Sequence, residues 1–304
     1  MDMWQKDLKS DHEGVALIFG ARSWVGYRVS DELIKSGMVV VGTTTQKTDD
    51  LPKHFGDSST LQTIQTTDEV TSLVAQCKPR VVVNLRYGID QKEFEFHQAA
   101  AAAAEKADAP YVFSSSALAL DGYGMDHELV EELPVFSVSD YGKFKGKCEL
   151  DLIERTGLRS LALRFSSIHG WSPWKDCRTE ALLKQISVGE TVQVAQRIVQ
   201  NRMSDRFLAE TICSLILKQA VGVAHIGTSD SSEEVDFLGK LANTIGYAAQ
   251  NIYKGTTKPL NLAVVPNLGM HPTGPKTESD TLKDLLDRPE LARYKNPSTI
   301  EING

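Results

Sequence analysis

The sequence is poor in cysteine, with Cys77, Cys148, Cys177 and Cys213 scattered through 304 residues and no CxxC pair. That spacing offers neither a zinc site nor a disulfide framework, so no metal is expected and a reducing, cytoplasmic setting is the simplest reading. An excess of positive charge is missing too. The chain has 33 Lys and Arg against 40 Asp and Glu, a formal charge of −7. An acidic surface disfavours nucleic acid and anionic membranes, which need a positive field. Long apolar runs are absent: the longest early one, Val15–Phe19, is too short to cross a bilayer. The polar opening, Met1–Gly14, has no apolar segment of the kind a secretory signal needs. No repeat is visible, and the only biased tract is the alanine run Ala99–Ala104. What is present is 41% hydrophobic and 24% charged, the composition of an ordinary globular domain with room for a smaller appendage.

Short apolar runs alternate with helical periodicity. Val15–Phe19, Met38–Val41, Leu61–Ile64, Val81–Leu85, Tyr111–Ser115 and Leu161–Phe165 read as strands. Between them, Val25, Val29 and Leu33 mark one helix face, with Gly37 as its terminator. Asp68 is a candidate N-cap for a helix to about Gln76, and Gln91–Ala107 and Asp140–Glu154 read as further helices. The alternation predicts an α/β fold, a doubly wound parallel Rossmann sheet. After Phe165 the pattern loosens. Arg206–Gln219 is helical again and Val223–Ile226 is a buried strand, while Ser172–Trp174 and the proline-rich Thr256–Pro275 look irregular. The expected organisation is a dinucleotide-binding domain over 1–166, rejoined by 204–228, and a smaller interleaved C-terminal substrate-binding portion over 167–203 and 229–304.

The first strand runs into Gly20-Ala21-Arg22-Ser23-Trp24-Val25-Gly26 and then a helix. A glycine at the strand end permits a tight turn, and a later one lets helix and strand pack closely. A pyrophosphate then sits on backbone N–H groups at the helix N-terminus. The middle position of a GxxGxxG pattern is Ser23 here. After the second strand, Gly42-Thr43-Thr44-Thr45-Gln46-Lys47 has no carboxylate to accept from a ribose 2′-hydroxyl. Thr44 and Lys47, with Arg22, suit a 2′-phosphate better. NADP(H) is therefore favoured, and NAD(H) is left open.

The catalytic candidates are Ser116, Tyr141 and Lys145. Ser116 follows the fifth strand, at the carboxyl end where ligands bind open α/β sheets. Tyr141 and Lys145 stand at i and i+4 and share a helix face. Reducing a carbonyl requires a proton at oxygen. A phenol, with its usual pKa of about 10, needs help to exchange one near neutrality. A nearby ammonium is expected to lower that pKa, and a serine hydroxyl to donate to the substrate oxygen. YxxxK alone is a weak pattern; the glycine loop, the serine and the interval between them strengthen it.

These motifs resemble those of the extended short-chain dehydrogenase/reductase superfamily, and more narrowly of the dTDP-4-dehydrorhamnose reductase (RmlD-like sugar-nucleotide-binding) family, from about Val15 to Leu286. Val112–Leu118 resembles the strand ending in the catalytic Ser/Thr, and Leu120-Asp121-Gly122 the FDG that follows it. Tyr141–Glu149 is similar to YGxxKxxxE, Leu163–Gly170 to LRxSxxxG, and Val223–Gly227 to GxxHxxG. The resemblance implies NADPH-dependent reduction of a keto group on a nucleotide sugar, with Asn84, Leu85 and Arg86, alongside Tyr141 and Lys145, at the cofactor, and Tyr87, Ser116 and Arg202 at the substrate. Several positions depart from the family. Arg86 and Tyr87 replace small residues after Asn84, and Arg202-Met203 replaces Pro-Thr. His97 stands where Asn is frequent and is read as structural. Ser172, Trp174 and Arg178 lie in the expected substrate region.

Two other readings fit the same motifs. One is an NAD-retaining nucleotide-sugar epimerase, opposed by the missing carboxylate after the second strand. The other is a non-catalytic NADP-binding regulatory subunit, like the beta subunit of methionine adenosyltransferase, opposed by the complete Ser-Tyr-Lys set. A 4,6-dehydratase would carry an acidic residue after the catalytic Ser/Thr, where Ala117 and Leu118 stand. The expected partner is a small carbonyl substrate. A homodimer is an expectation from similar proteins.

Overall fold

In a computed structural model of the chain, the described residues are 14–45, 59–64, 66–172, 177–194, 197–248, 252–255, 258–266 and 274–295. Lys47, Pro173 and Trp174 lie outside them.

Apolar runs form the centre. β1 (Val15–Phe19), β2 (Val39–Thr44), β3 (Ser59–Thr63), β4 (Val81–Asn84), β5 (Tyr111–Ser114) and β6 (Ser160–Phe165) are strands of one sheet. Between them run the helices α1 (Trp24–Lys35), α2 (Thr67–Cys77), α3 (Gln91–Lys106) and α4 (Asp140–Glu154). The chain then makes β7 (Ser167–His169), α5 (Arg178–Ser187), β8 (Val192–Val194), β9 (Ile198–Gln200), β10 (Arg202–Ser204), α6 (Asp205–Leu217) and β11 (Gly222–Ile226). β12 (Ser232–Glu233), α7 (Glu234–Thr244), β13 (Ile252–Lys254), β14 (Leu260–Leu262) and α8 (Glu278–Leu286) follow.

The main sheet has seven strands in the order β11-β6-β5-β4-β1-β2-β3, and every pairing in it is parallel. Residues alternate between its faces, so each strand feeds two cores. Val29 and Leu33 of α1 and Leu208, Ile212 and Leu215 of α6 cover one face. Leu73 of α2, Ala100 and Ala104 of α3 and Leu152 of α4 cover the other. The alanine run is thus a close-packed helix face. The doubly wound fold is as the alternation of elements predicts.

Local chemistry sets the boundaries. α1 ends with Gly37 at φ +95°, a left-handed position that a side chain would strain. The N-cap of α2 lies two residues before Asp68: it is Thr66, which forms a capping box with Glu69, while Asp68 lies in the first turn. The 3-10 turn Ala117–Tyr123, capped by Ser116, has no counterpart in the sequence-based expectations. Residues 205–226 return to the sheet as α6 and β11. The remainder builds three small ladders, β10-β7, β12-β9-β14 and β13-β8, around a core of Trp171, Leu183, Phe237, Leu241 and Leu285.

Candidate functional site

In the sheet order, β1 lies between β2 and β4, so the connections diverge there and leave a crevice at the strand carboxyl ends. The glycine loop sits in it. Gly20 has φ +81°, and a Cβ on it would stand 3.1 Å from the backbone of Leu85 and Arg86. A Cβ on Gly26 would stand 2.1 Å from the Gly20 carbonyl oxygen. These two glycines are therefore required by space. Ser23 is not in a glycine conformation, at φ −68° and ψ 159°. It caps α1 by accepting from the Gly26 N–H at 2.9 Å, which accounts for a serine in the middle of the motif. The loop thus offers a helix N-terminus flanked by Arg22, a donor set that fits an anionic dinucleotide. Val25 packs against the core. Trp24 turns its indole away toward Asp205 at 2.9 Å.

Thr43 and Thr44, at the carboxyl end of β2, are buried. At the end of β4, Asn84 Nδ2 donates to the Tyr111 hydroxyl at 2.9 Å and Oδ1 accepts from the Arg86 N–H at 3.1 Å. Asn84 therefore shapes the turn beside the glycine loop. Leu85 is inside the core. Arg86 folds back onto α3, where Glu93 takes its Nε and a terminal nitrogen at 2.6 and 2.7 Å. Its guanidinium lies 3.9 Å above the centre of the Phe96 ring. Tyr87 is 77% exposed, yet its ring stacks on that of Tyr141, centres 5.5 Å apart and planes 22° apart.

Tyr141 lies in the first turn of α4, and Lys145 one turn further on. Lys145 is buried and donates to the Ser114 carbonyl at 2.7 Å, with its Nζ 5.5 Å from the centre of the Tyr141 ring. Ser116 is bracketed by the same helix. Lys145 grips Ser114 on one side of it, and Gly142 lies so close on the other that an added Cβ would stand 2.0 Å from the Leu118 carbonyl oxygen. Ser116 Oγ accepts from the Leu118 N–H at 3.2 Å. The two segments that carry the serine and the tyrosine are thereby pressed together at the carboxyl end of β5.

The electrostatics differ from the sequence expectation in one respect. Burial, followed by the neighbouring Tyr87 phenol, raises the Tyr141 pKa to about 12. Burial lowers that of Lys145 to about 8. In the protein alone the phenol is held protonated, because loss of solvent outweighs the ammonium one turn away.

Beneath the site, the remaining motifs meet. Glu149 accepts from Ser115 Oγ and pairs with Arg164 at 2.7 Å, both buried. Arg164 also reaches the Leu133 carbonyl at 3.2 Å and lies 3.4 Å from His225 Nε2. The glutamate of the tyrosine helix, the arginine of β6 and the histidine of β11 thus form one buried cluster. His97, among Phe94, Tyr111 and Phe113, has a pKa lowered to about 4 by burial. Arg202 is enclosed rather than lining an open cleft: it donates to Ser167 Oγ and to the Ser232 carbonyl, both at 3.3 Å. Arg178 pairs with Glu234. Asp205 and Arg288, which hold the C-terminal portion to α1, carry no local sequence signal. A cavity of about 340 Å³ lined by Leu152, Ile153 and Val221 opens beside Ser160 and Gly222, where β6 and β11 begin, at the opposite end of the sheet from the glycine loop.

Compared with known proteins as a sequence, the chain matches no family model and no curated protein. Solved structures do match. The Bordetella bronchiseptica enzyme WbmH in complex with NAD+ superposes with a TM-score of 0.74 at 15% identity, covering 94% of this chain and 100% of that one. A dTDP-4-dehydrorhamnose reductase from Clostridium acetobutylicum gives 0.71 at 19% identity, covering 90% and 98%. The UDP-glucose 4-epimerase of Thermotoga maritima, solved with UDP-glucose, gives 0.73 at 18% identity, covering 90% and 97%. The chain therefore shares the fold of these three enzymes.

Proposed function

We propose that this protein is a nicotinamide-dinucleotide-dependent oxidoreductase that reduces a carbonyl group on a nucleotide sugar or a related small molecule, with NADP(H) as the favoured cofactor. The observation that supports this reading is that Tyr141 and Lys145 share one face of α4, which packs against the segment carrying Ser116 at the carboxyl end of β5, the end of the sheet that also holds the glycine loop. A bound nicotinamide would supply the hydride. Tyr141, kept protonated by burial, would give its proton to the carbonyl oxygen. Ser116 would donate a hydrogen bond to that oxygen as charge develops on it. Lys145 would orient the phenol and the ribose. A protonated phenol suits reduction, the direction in which it must give up a proton. Arg22, Thr44 and Lys47, with no carboxylate from Thr43 to Lys47, support the 2′-phosphate. The substrate class rests on the structural neighbours, two of which are described as acting on or holding sugar nucleotides.

The test is NADPH consumption against a panel of keto sugar nucleotides and simple ketones. Tyr141→Phe should remove at least about 100-fold of the rate, because the proton donor is gone. Full activity in that variant would overturn the mechanism. Reduction should also decline above about pH 8, where Lys145 loses its proton. Equal affinities for NADPH and NADH would overturn the cofactor preference. Leu150 and Ile153, both exposed on one face of α4, support a homodimer, which sedimentation would check.

A further inference from the structure

The glycine loop is held from an unexpected direction. Trp24 is the first residue of α1, immediately after the capping Ser23. Its indole N–H donates to Asp205 Oδ2 at 2.9 Å. The same oxygen accepts from Arg28 Nε at 2.9 Å, one turn along α1, and from the Trp171 N–H at 3.3 Å. The other oxygen of Asp205 takes Arg288 at 2.5 Å. Arg288 lies just after α8 and is also bonded to Asp284. Arg28 adds a bond to the Trp171 carbonyl at 3.1 Å. Asp205 and Arg288 are both buried, at 1% and 2% exposure. There is no room to loosen the arrangement: a Cβ on Gly170 would stand 2.3 Å from the Asp205 carboxyl carbon. One carboxylate therefore ties the first two turns of α1 to β7, to α6 and to the end of α8.

We infer that Asp205 is a positioning residue for dinucleotide binding: through Trp24 and Arg28 it fixes the N-terminal turn of α1, so that α6, braced by Arg288 from the C-terminal portion, sets the affinity of the glycine loop. This rests on the proposed reading of that loop as a dinucleotide site. The physical basis is directional. Backbone N–H groups hold a pyrophosphate only while they converge on it, and a small rotation of the first helical turn misdirects them. The Ser23 cap and the Gly20–Gly26 contact fix the loop against β1 and β4. Together with the apolar contacts of Val25, Val29 and Leu33 they seat α1 on the sheet, while Trp24 and Arg28, i, i+4 partners on one face meeting one carboxylate, hold the direction of its first turn.

The test uses the full chain and measures NADPH affinity by nicotinamide fluorescence, with thermal unfolding recorded alongside. Asp205→Asn keeps the shape but weakens the bonds to Arg28 and Arg288, and should raise Kd by about 10-fold. Trp24→Phe removes the indole N–H together with the five-membered part of the ring, and should act in the same direction. The double variant should bind nearly as well as the weaker single one, because Trp24 acts only through the carboxylate that Asp205→Asn alters. The inference is overturned if Asp205→Asn lowers the melting temperature with Kd within twofold of wild type, or if the two effects multiply. Trp24→Phe alone, with Kd unchanged, overturns it too, and this variant serves if Asp205→Asn fails to fold. Wild-type protein that binds neither NADPH nor NADH would instead remove the dinucleotide reading on which the inference rests.

Discussion

The seven-stranded sheet and the C-terminal portion are built by different forces. The sheet is held by two apolar layers, and its strands and helices repeat their hydrophobic residues locally. Among the described residues, the C-terminal portion has a smaller apolar cluster around Trp171 and Phe237, a second in which Leu262 and Val264 meet Leu120 and Leu129, and strands β7, β8, β9, β10, β13 and β14 of three residues each. It is attached through buried charge, Asp205 with Arg28 and Arg288, and is braced internally by Arg202 among Ser167, Ser232 and Glu278. Apolar burial is a short-range pattern in sequence and a strong one in energy. Buried ion pairs fix a geometry without adding much net stability, but breaking one leaves a charge stranded.

The contrast yields predictions of decreasing size. Gly26→Val strikes the sheet side where backbone meets backbone, and should cost on the order of 5 kcal/mol or prevent folding, seen as loss of the cooperative urea transition. A folded variant with ordinary stability would show that the loop has slack. Arg164→Ala breaks the pair that joins α4 to β6 and strands Glu149, and should cost about 4 kcal/mol. Arg288→Ala is its counterpart on the C-terminal side. It should destabilise comparably while also weakening NADPH binding, so equal binding in the two variants would erase the distinction between the two regions.

Acid should act next. His97 is buried neutral, its pKa lowered from 6.5 to about 4, so the unfolded chain binds the proton first as pH falls. His97 should therefore contribute a loss of about 3 kcal/mol between about pH 6.5 and 4. Replacing His97 with Gln should remove that share of the slope in chemical denaturation and leave the shares of His169 and His225, which burial also holds neutral; an unchanged slope would show that His97 contributes nothing to it. The smallest effect is expected at the α2 terminus. Thr66→Ala removes an exposed capping box and should cost about 1 kcal/mol, measured by its denaturation midpoint.

The same contrast explains what could be read from the sequence. The strand and helix runs through Phe165 announce themselves by period and by glycines at turns. The placement of Ser116 just after a strand and of Tyr141 and Lys145 on one helix face is legible because a strand end and i, i+4 spacing fix where they go. The N-cap of α2 fell on Thr66 rather than Asp68, since either residue type satisfies the local rule and only the capping box with Glu69 decides. The pairing of Asp205 with Trp24 spans 181 residues, and no periodicity connects them. Arg86 and Tyr87 were visible as departures but not as a bidentate pair with Glu93 and a ring stacked on Tyr141, because those partners depend on how two helices pack.

The sheet order has one more consequence, for behaviour in concentrated solution. β3 is an outermost strand and reads Ser-Thr-Leu-Gln-Thr, with all five residues only half-buried. The margin of an outermost strand is a template on which another polypeptide can add itself. Here that margin is short and largely hydroxyl- and amide-bearing, so a would-be neighbour gains backbone bonds but little dehydration of apolar surface. The opposite border, β11, opens on Gly222, whose φ of +95° departs from extended geometry. Both rims of an otherwise greasy sheet are thus poor seeds for fibril-like stacking.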